Sequence, residues 1–489
     1  MLYRSDPYDV LVIGAGPAGL AAAGAALAAG ARTGILDAAA RPGGQYWRHP
    51  LTPAADARTA RYHHELPRYR TLVAAVAPLR ASGDYLAGHE AWLVVPDDDG
   101  FAVHLRAGGS GSRAGQPVDR GERSVRLRAR RLVIATGAYD RQIPFPGWDL
   151  PGVMTAGAAQ ALLKGHDVVV PGRVVVAGTG PFLLPVAAGL LAGGGDVAAV
   201  VEAARARAWS RHVGAVAGTA GKLGEALGYA AQLARHRVPV LTGAMVTRAE
   251  GEDRLEAVVV ERRGPDGRPR PATARRIPAD ILAVGWGFTP RLELAVAVGC
   301  RTGTDADGSV VGIVDDSQAS SVEGVYLAGE VCGVGGAELA VTEGRIAGAA
   351  ASGDRTPPLR LRRRRSRLRA FAAAMHAAHP VPQAWIDRVE PDTTICRCEE
   401  VTAAALRDAV DRLGADNARA AKLMVRTGMG WCQGRVCGYP TSCLVARWTG
   451  QPVRDTLVER PVAAPITFGA LADSVDDDAG GDLPGGPVG

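Results

Sequence analysis

Apolar residues in this chain come in two rhythms. Short runs such as Tyr8-Asp-Val-Leu-Val-Ile13 alternate with longer alanine- and leucine-rich stretches such as Pro17–Ala29. The short runs are rich in Val and Ile and stop at glycine or an acid, as buried parallel strands do. The longer stretches carry strong helix formers. The chain therefore opens with a strand, a tight turn at Gly14–Gly19, a helix, and a second strand over Thr33–Leu36 that ends at Asp37. This is a βαβ unit. Arg131-Leu-Val-Ile-Ala-Thr-Gly137 predicts a further strand ending in a turn. The opening pattern then recurs, with a strand and turn over Arg173–Gly180, a helix over Pro181–Gly193 and a strand over Asp196–Val201 ending at Glu202. Such a repeat predicts two dinucleotide-binding domains. Residues from about 60 to 130 read as short strands and polar loops, with the Gly/Ser/Arg-rich Ala107–Arg123 as a mobile hairpin tip. Asp280–Gly285 and Gly324–Glu330 read as strands that return the chain to the first domain.

The expected organisation follows. Residues 1–150 and 281–352 form the first dinucleotide domain and 151–280 the second. A basic linker covers 353–390, opened by Thr356–Pro358, a cysteine module covers 391–455, and an acidic, glycine-rich tail over 470–489 is expected to be disordered. The length of 489 residues suits two or three domains.

Charge changes this picture little. The net charge of +6 is largely local, because seven arginines fall within Leu359–Arg369. Lysine occurs only at positions 164, 222 and 422, so arginine looks favoured by genome composition. The run reads as a solvated linker or docking helix, with contact to an acidic partner as its other use. No aromatic platform is interleaved with it, so nucleic-acid binding is not expected. No stretch reaches the roughly 18 to 20 apolar residues of a membrane span. The apolar stretch Val10–Ala29 lacks a basic flank, so it is not read as a signal peptide, and the cytoplasm is the expected compartment. There the seven cysteines suit a metal better than disulfides.

Gly14-Ala-Gly-Pro-Ala-Gly19 is G-x-G-x-x-G between a strand and a helix. Gly14 permits the turn, Gly16 admits a pyrophosphate, Gly19 lets helix and strand approach, and Pro17 and Ala18 begin the helix whose free N–H groups face the phosphates. Asp37, 18 residues after Gly19, suits the ribose hydroxyls. In the second unit Gly178 and Gly180 are kept, but Leu183 replaces the third glycine. Glu202 could accept from a ribose 2′-hydroxyl and disfavours a 2′-phosphate. A working NAD site and a retained fold without one both stay open, and NADP is not expected.

Four cysteines near the C-terminus stand apart. Cys396 and Cys398 form C-x-C, and Cys432 and Cys437 form C-x4-C after 33 intervening residues. Four thiolates on two loops are what a [2Fe–2S] cluster needs. Zinc is the main rival, but zinc knuckles space their thiolates as C-x2-C to C-x4-C, which C-x-C does not match. Arg397, Arg426 and Arg435 lie within the motif and could offset the cluster's negative charge. Cys300, Cys332 and Cys443 lie outside the quartet. Cys332 reads as a lone buried thiol, and His63-His64-Glu65 as surface rather than as a metal site. No redox C-x2-C or C-x4-C lies near residue 45 or in the second domain, which argues against a disulfide reductase. No acid/base pair stands out, so catalytic residues are not assigned.

Three further segments carry a resemblance. Arg41-Pro-Gly-Gly-Gln-Tyr-Trp47 is similar to the glycine pair, here Gly43 and Gly44 with Gln45, that follows the adenosine-binding acid in two-dinucleotide-domain flavoproteins. Ala135-Thr136-Gly137 is similar to their central ATG segment. Gly324-Val-Tyr-Leu-Ala-Gly-Glu330, followed by Glu343-Gly344, resembles their late motif, with Gly329 and Glu330 near the ribityl chain. Glu330 stands where that family usually has Asp. The resemblance implies FAD in an α/β, Rossmann-like, glutathione-reductase-like body. The strings Cys-Arg-Cys-Glu-Glu-Val and Gly-Met-Gly-Trp-Cys-Gln-Gly-Arg-Val-Cys resemble the bacterioferritin-associated-ferredoxin-like domain, implying a small α-helical [2Fe–2S] module.

Nearly the whole chain resembles the large flavoprotein subunit of heteromeric amino-acid and opine dehydrogenases. That family includes D-hydroxyproline dehydrogenase, opine oxidase and hydrogen cyanide synthase. The α subunit of sarcosine oxidase is similar over the dinucleotide domains. The resemblance implies a glycine-oxidase-like flavoprotein β subunit that oxidises the amino acid, imino acid or opine, a small ferredoxin-like subunit, and a place for FMN at a subunit interface. A self-contained NADH-dependent reductase using Gly178, Gly180 and Glu202 is the second reading, and a redox sensor or scaffold the third.

Overall fold

The computed structural model describes residues 6–51, 56–107, 123–212, 214, 220–354, 356–453 and 463–472. The first sheet is parallel, in the order Val325–Leu327, Leu132–Ile134, Val10–Ile13, Thr33–Asp37, Tyr85–Ala87. Its central strand Val10–Ile13 is buried throughout, which explains its unbroken apolar run. The helices Pro17–Ala28 and Ala337–Ala351 pack against each other on one face. An antiparallel three-stranded sheet, His89–Asp97, Gly100–Ala107 and Arg123–Ala129, covers the other side of the core.

The second sheet is also parallel, in the order Val240–Thr242, Asp196–Glu202, Arg173–Gly178, Ile281–Gly285, Val153–Thr155. This corrects the expected boundary at 281. Ile281–Gly285 does not return to the first domain but lies beside Arg173–Gly178, with all five residues buried. Ile143, Phe145 and Trp148 also belong to the second core, so residues 143–148 pass to that domain. The two domains are joined by a ribbon of Ala138–Asp140 paired antiparallel with Phe288–Pro290.

Three other expectations are corrected. Leu66–Ala75 and Ala77–Ser82 are helices rather than strands or loops; proline opens each, and Tyr69, Leu72, Val76 and Leu79 repeat at helical spacing to face the core. Of the two expectations for the basic segment, linker or docking helix, the linker is corrected: it is a 20-residue helix, Leu359–Ala378. Four of its seven arginines are paired: Arg362 and Arg365 with Asp316, Arg364 with Glu338 and Arg369 with Glu343. Residues 468–472 of the expected C-terminal region are helical, with Ala470 buried. The expected hairpin tip, between 108 and 122, and the tail from 473 lie outside the described residues.

The cysteine module has a small ribbon, Thr394–Cys396 with Val401–Thr402, and helices Ala403–Asp411, Ala418–Val425 and Gly438–Thr449. Thr402 and Asn417 cap the first two helices by accepting from Ala405 N and Ala420 N. The module shares one continuous core with the second dinucleotide domain: Trp385, Ile395, Leu406 and Leu444 pack in the same cluster as Phe145, Val246 and Trp286. No helix among the described residues is long and apolar enough to cross a membrane.

Candidate functional site

Four segments distant in sequence meet at the C-terminal edge of the first sheet. The loop after Val10–Ile13 turns at Gly14, where φ is +104° and a Cβ would lie 2.4 Å from the Ala135 carbonyl oxygen. Only glycine fits that turn. Gly16 precedes the helix as its N-cap, with Pro17 and Ala18 in the first turn and Gly19 packed on the Gly14 carbonyl. Gly43 N donates to Ala15 O at 2.8 Å, bringing Gly43, Gly44 and Gln45 against this loop. Ala135 N donates to Ile13 O at 2.9 Å, and Thr136 Oγ1 donates to Arg291 O at 2.7 Å. Gly137 O accepts from Arg291 N at 2.9 Å.

Asp37 closes the far side. Its Oδ2 accepts from Ala15 N at 2.5 Å and its Oδ1 from Ala39 N at 2.7 Å. Burial pushes this carboxyl above its ordinary range, and the two N–H groups oppose that shift. Gly329 lies beside Ala18, and its N–H donates to Glu343 Oε2 at 3.1 Å. Glu330 begins the following turn and accepts from Gly336 N, the N-cap of Ala337–Ala351, at 2.9 Å. Burial pushes the Glu330 carboxyl up to about 7. The extra methylene relative to Asp is thus used to reach a helix N-terminus. Glu343 is wholly buried and is held by Arg369 from the basic helix, Nη2 to Oε1 at 2.6 Å. Cys332 is half-buried 3.7 Å from Gln318 Nε2, and burial pushes its thiol up. His63 is buried and stacks on His49, while the His64 ring meets the Tyr229 hydroxyl at 2.6 Å.

The second loop repeats this design up to a point. Gly178 ends its strand and accepts from Ala203 N at 2.8 Å; Gly180 N donates to Glu202 Oε2 at 2.9 Å. Ala204 N donates to Glu202 Oε1 at 2.7 Å, the counterpart of Ala39 and Asp37. The Thr179 hydroxyl adds a bond at 3.0 Å. What differs is a cover that no motif announced. His379, just past the basic helix, places Nδ1 3.5 Å from Glu202 Oε1, and its Nε2 accepts from Trp209 Nε1 at 2.9 Å. Trp209 in turn stacks on Phe371.

At the third locus the four thiols converge from two loops. Cys437 lies within hydrogen-bonding reach of Cys396 and of Cys432, and Cys398 within reach of Cys432. The Cys437 thiol pulls Cys396 down to about 6 and Cys432 down to about 5, and is itself pushed up. Backbone N–H groups of Cys398, Glu399 and Gly428 point at Cys396, and those of Gly434 and Val436 at Cys432. Such donors stabilise thiolates. Gly430 admits the close approach of the loops, because a Cβ there would lie 2.2 Å from Cys398 Cβ. Arg426 joins them again through Glu399 at 2.8 Å. The thiols follow one another as a string of contacts. A soft, four-thiol donor set of this kind fits a dinuclear cluster. The three arginines are each engaged elsewhere: Arg397 lies over the Trp148 ring, Arg426 pairs with Glu399 and Arg435 with Glu293 at 2.7 Å.

Two dinucleotide folds, a glycine loop with its acid and a four-thiol module define a flavin oxidoreductase with an iron–sulfur domain. The comparisons agree. Residues 8–352 match the pyridine nucleotide-disulphide oxidoreductase family, and the chain belongs to it. Residues 394–446 match the BFD-like [2Fe-2S] binding domain. The chain is 32% identical to the hydrogen cyanide synthase subunit HcnB of Pseudomonas aeruginosa, over 94% of this chain and 97% of that one. It is 35% identical to an opine oxidase subunit from Rhizobium meliloti, over 96% and 99%. Among solved structures, L-proline dehydrogenase from P. horikoshii shares the fold, with a TM-score of 0.64 and 19% identity over 96% of this chain and 81% of that one. These relatives are subunits of hydrogen cyanide synthase and opine oxidase, and the family domains imply a flavin and a [2Fe–2S] cluster.

Proposed function

We propose that this chain is the electron-transfer subunit of a heteromeric dehydrogenase or oxidase acting on the C–N bond of an amino acid, imino acid or opine. The observation that carries the reading is the fusion of the four-thiol module into the core of the second dinucleotide domain, tied to the first domain through Arg435 and Glu293. Full-length similarity to hydrogen cyanide synthase and opine oxidase subunits supports it. A glycine-oxidase-like flavoprotein β subunit would oxidise the substrate, and a small ferredoxin-like subunit would complete the complex. An FMN at a subunit interface belongs to the same proposal.

The residues divide by cofactor. Gly14, Gly16, Pro17, Ala18 and Gly19 would hold the pyrophosphate of FAD and Asp37 its ribose. Gly43, Gly44, Gln45, Ala135, Thr136, Gly137, Gly329 and Glu330 would line the rest. Cys396, Cys398, Cys432 and Cys437 would hold the cluster. A flavin exchanges electrons in pairs or singly and a [2Fe–2S] centre singly, so together they supply a two-to-one electron step. The protein's own part is to orient these groups and exclude water. Gly178, Gly180 and Glu202 form a dinucleotide loop whose acid already has His379 beside it, which weighs against the self-contained NADH reductase.

The test is purification of the native complex with assay of flavin, iron and acid-labile sulfide. FAD together with about two irons per chain is expected. Zinc without sulfide, or a chain without flavin, would overturn the reading.

A further inference from the structure

Arg435 sits between Cys432 and Cys437, yet its side chain turns away from both. Its Nε donates to Glu293 Oε1 at 2.7 Å and its Nη2 to Ala463 O at 2.7 Å. Glu293 is buried, 8% exposed, and begins the short helix Glu293–Ala297 of the first domain. It also accepts from the Tyr139 hydroxyl at 3.4 Å, while its Oε2 has no hydrogen-bond partner among the described residues. Tyr139 lies two residues past Gly137, within the ribbon that joins the two domains. Arg291 bonds Gly137 O through its backbone N–H and reaches Ala463 O at 3.3 Å, the carbonyl that Arg435 also uses. A short hydrogen-bonded path thus runs from the loop between two cluster cysteines to the segment Ala135–Gly137.

A buried carboxylate needs a counter-charge, and Arg435 supplies it. The pair also places one positive and one negative charge beside a site whose reduction adds negative charge. In a partly buried setting such charges act more strongly than in water.

Resting on the function proposed above, we propose that Arg435 and Glu293 are positioning residues that fix the cysteine loop on the flavin-side segment and balance the charge felt by the cluster. The two charges oppose each other. Loss of the glutamate charge leaves a bare arginine, which favours the reduced cluster. Loss of the arginine charge leaves a bare carboxylate, which disfavours it.

The experiment is a redox titration of the full-length chain in its native complex, followed by the electron paramagnetic resonance of the reduced cluster. It runs at pH 8 for all variants. At fixed solution potential, Glu293→Gln is expected to raise the reduced-to-oxidised ratio about three- to tenfold and Arg435→Gln to lower it by a similar factor, tenfold being about 59 mV for one electron. The double variant is expected within about twofold of the wild type, because the two charge effects cancel. Shifts of the same sign, no shift, or loss of the cluster from both single variants would overturn the proposal and leave the pair as a brace. A wild-type chain without a reducible cluster would instead sink the functional reading on which the proposal rests.

Discussion

His379 Nδ1 lies 3.5 Å from Glu202 Oε1, the carboxylate that accepts from Gly180 N in the second dinucleotide loop. Asp37, its counterpart in the first loop, accepts from the backbone N–H groups of Ala15 and Ala39. The expected consequence is functional asymmetry. Anaerobic addition of NADH to the purified chain should leave the flavin band unbleached on the timescale of turnover. His379→Ala with Trp209→Ala should increase the quenching of NADH fluorescence on binding. Rapid bleaching in the wild type would remove the asymmetry.

Arg369 and Glu343 make a costly pair to break. Glu343 is fully buried, whereas the Asp316 that Arg362 meets is exposed. Arg369→Ala strands a buried carboxylate and should cost about 3–5 kcal/mol in urea unfolding. Arg362→Ala should cost less than about 1 kcal/mol. Equal losses would mean that the helix acts through packing alone.

Lys164 is a pH probe. It is 6% exposed, and burial lowers it from an ordinary 10.5 to about 8. The unfolded chain therefore holds that proton more tightly, so folding stability should rise as pH climbs from 8 to 10.5. Lys164→Met should remove this dependence. It should be the more stable form at pH 7 by up to about 3 kcal/mol, with the advantage gone near the upper limit. Denaturant melts of both proteins at three pH values check the sign.

Gly430→Ala should empty the cysteine site while sparing the rest, because the added methyl meets Cys398 Cβ. Iron and sulfide per chain should fall several-fold with the flavin content unchanged. A variant that keeps its full complement would show that the loops separate readily.

The strands and both glycine loops were legible because strands buried on two faces must be apolar throughout. The cysteine spacing was equally plain. Which sheet a strand joins was not legible: Ile281–Gly285 reads as a strand, but pairing with Arg173–Gly178 is a tertiary fact. Nor was the role of the arginine run, since Asp316, Glu338 and Glu343 lie 26 to 46 residues away. His379 and Trp209 sit in no motif, so the cover over Glu202 has no sequence signal. Glu293 is similarly silent, 142 residues from Arg435.

The crossing of Pro17–Ala28 with Ala337–Ala351 bears on the order of assembly. Added Cβ atoms at Gly344 and Gly348 would lie 2.1 Å from the Ala18 and Ala22 carbonyls, so the two helices touch backbone to backbone. The edge strand Val325–Leu327 is needed beside Leu132–Ile134 as well. A ribosome that has made the first 300 residues has therefore supplied every strand of the second sheet but not the last strand or the covering helix of the first. The inserted domain can close while its host waits, since domains fold as units during synthesis. The Gly14–Gly19 loop, encoded first, is then among the last parts of the dinucleotide body to gain its full surroundings.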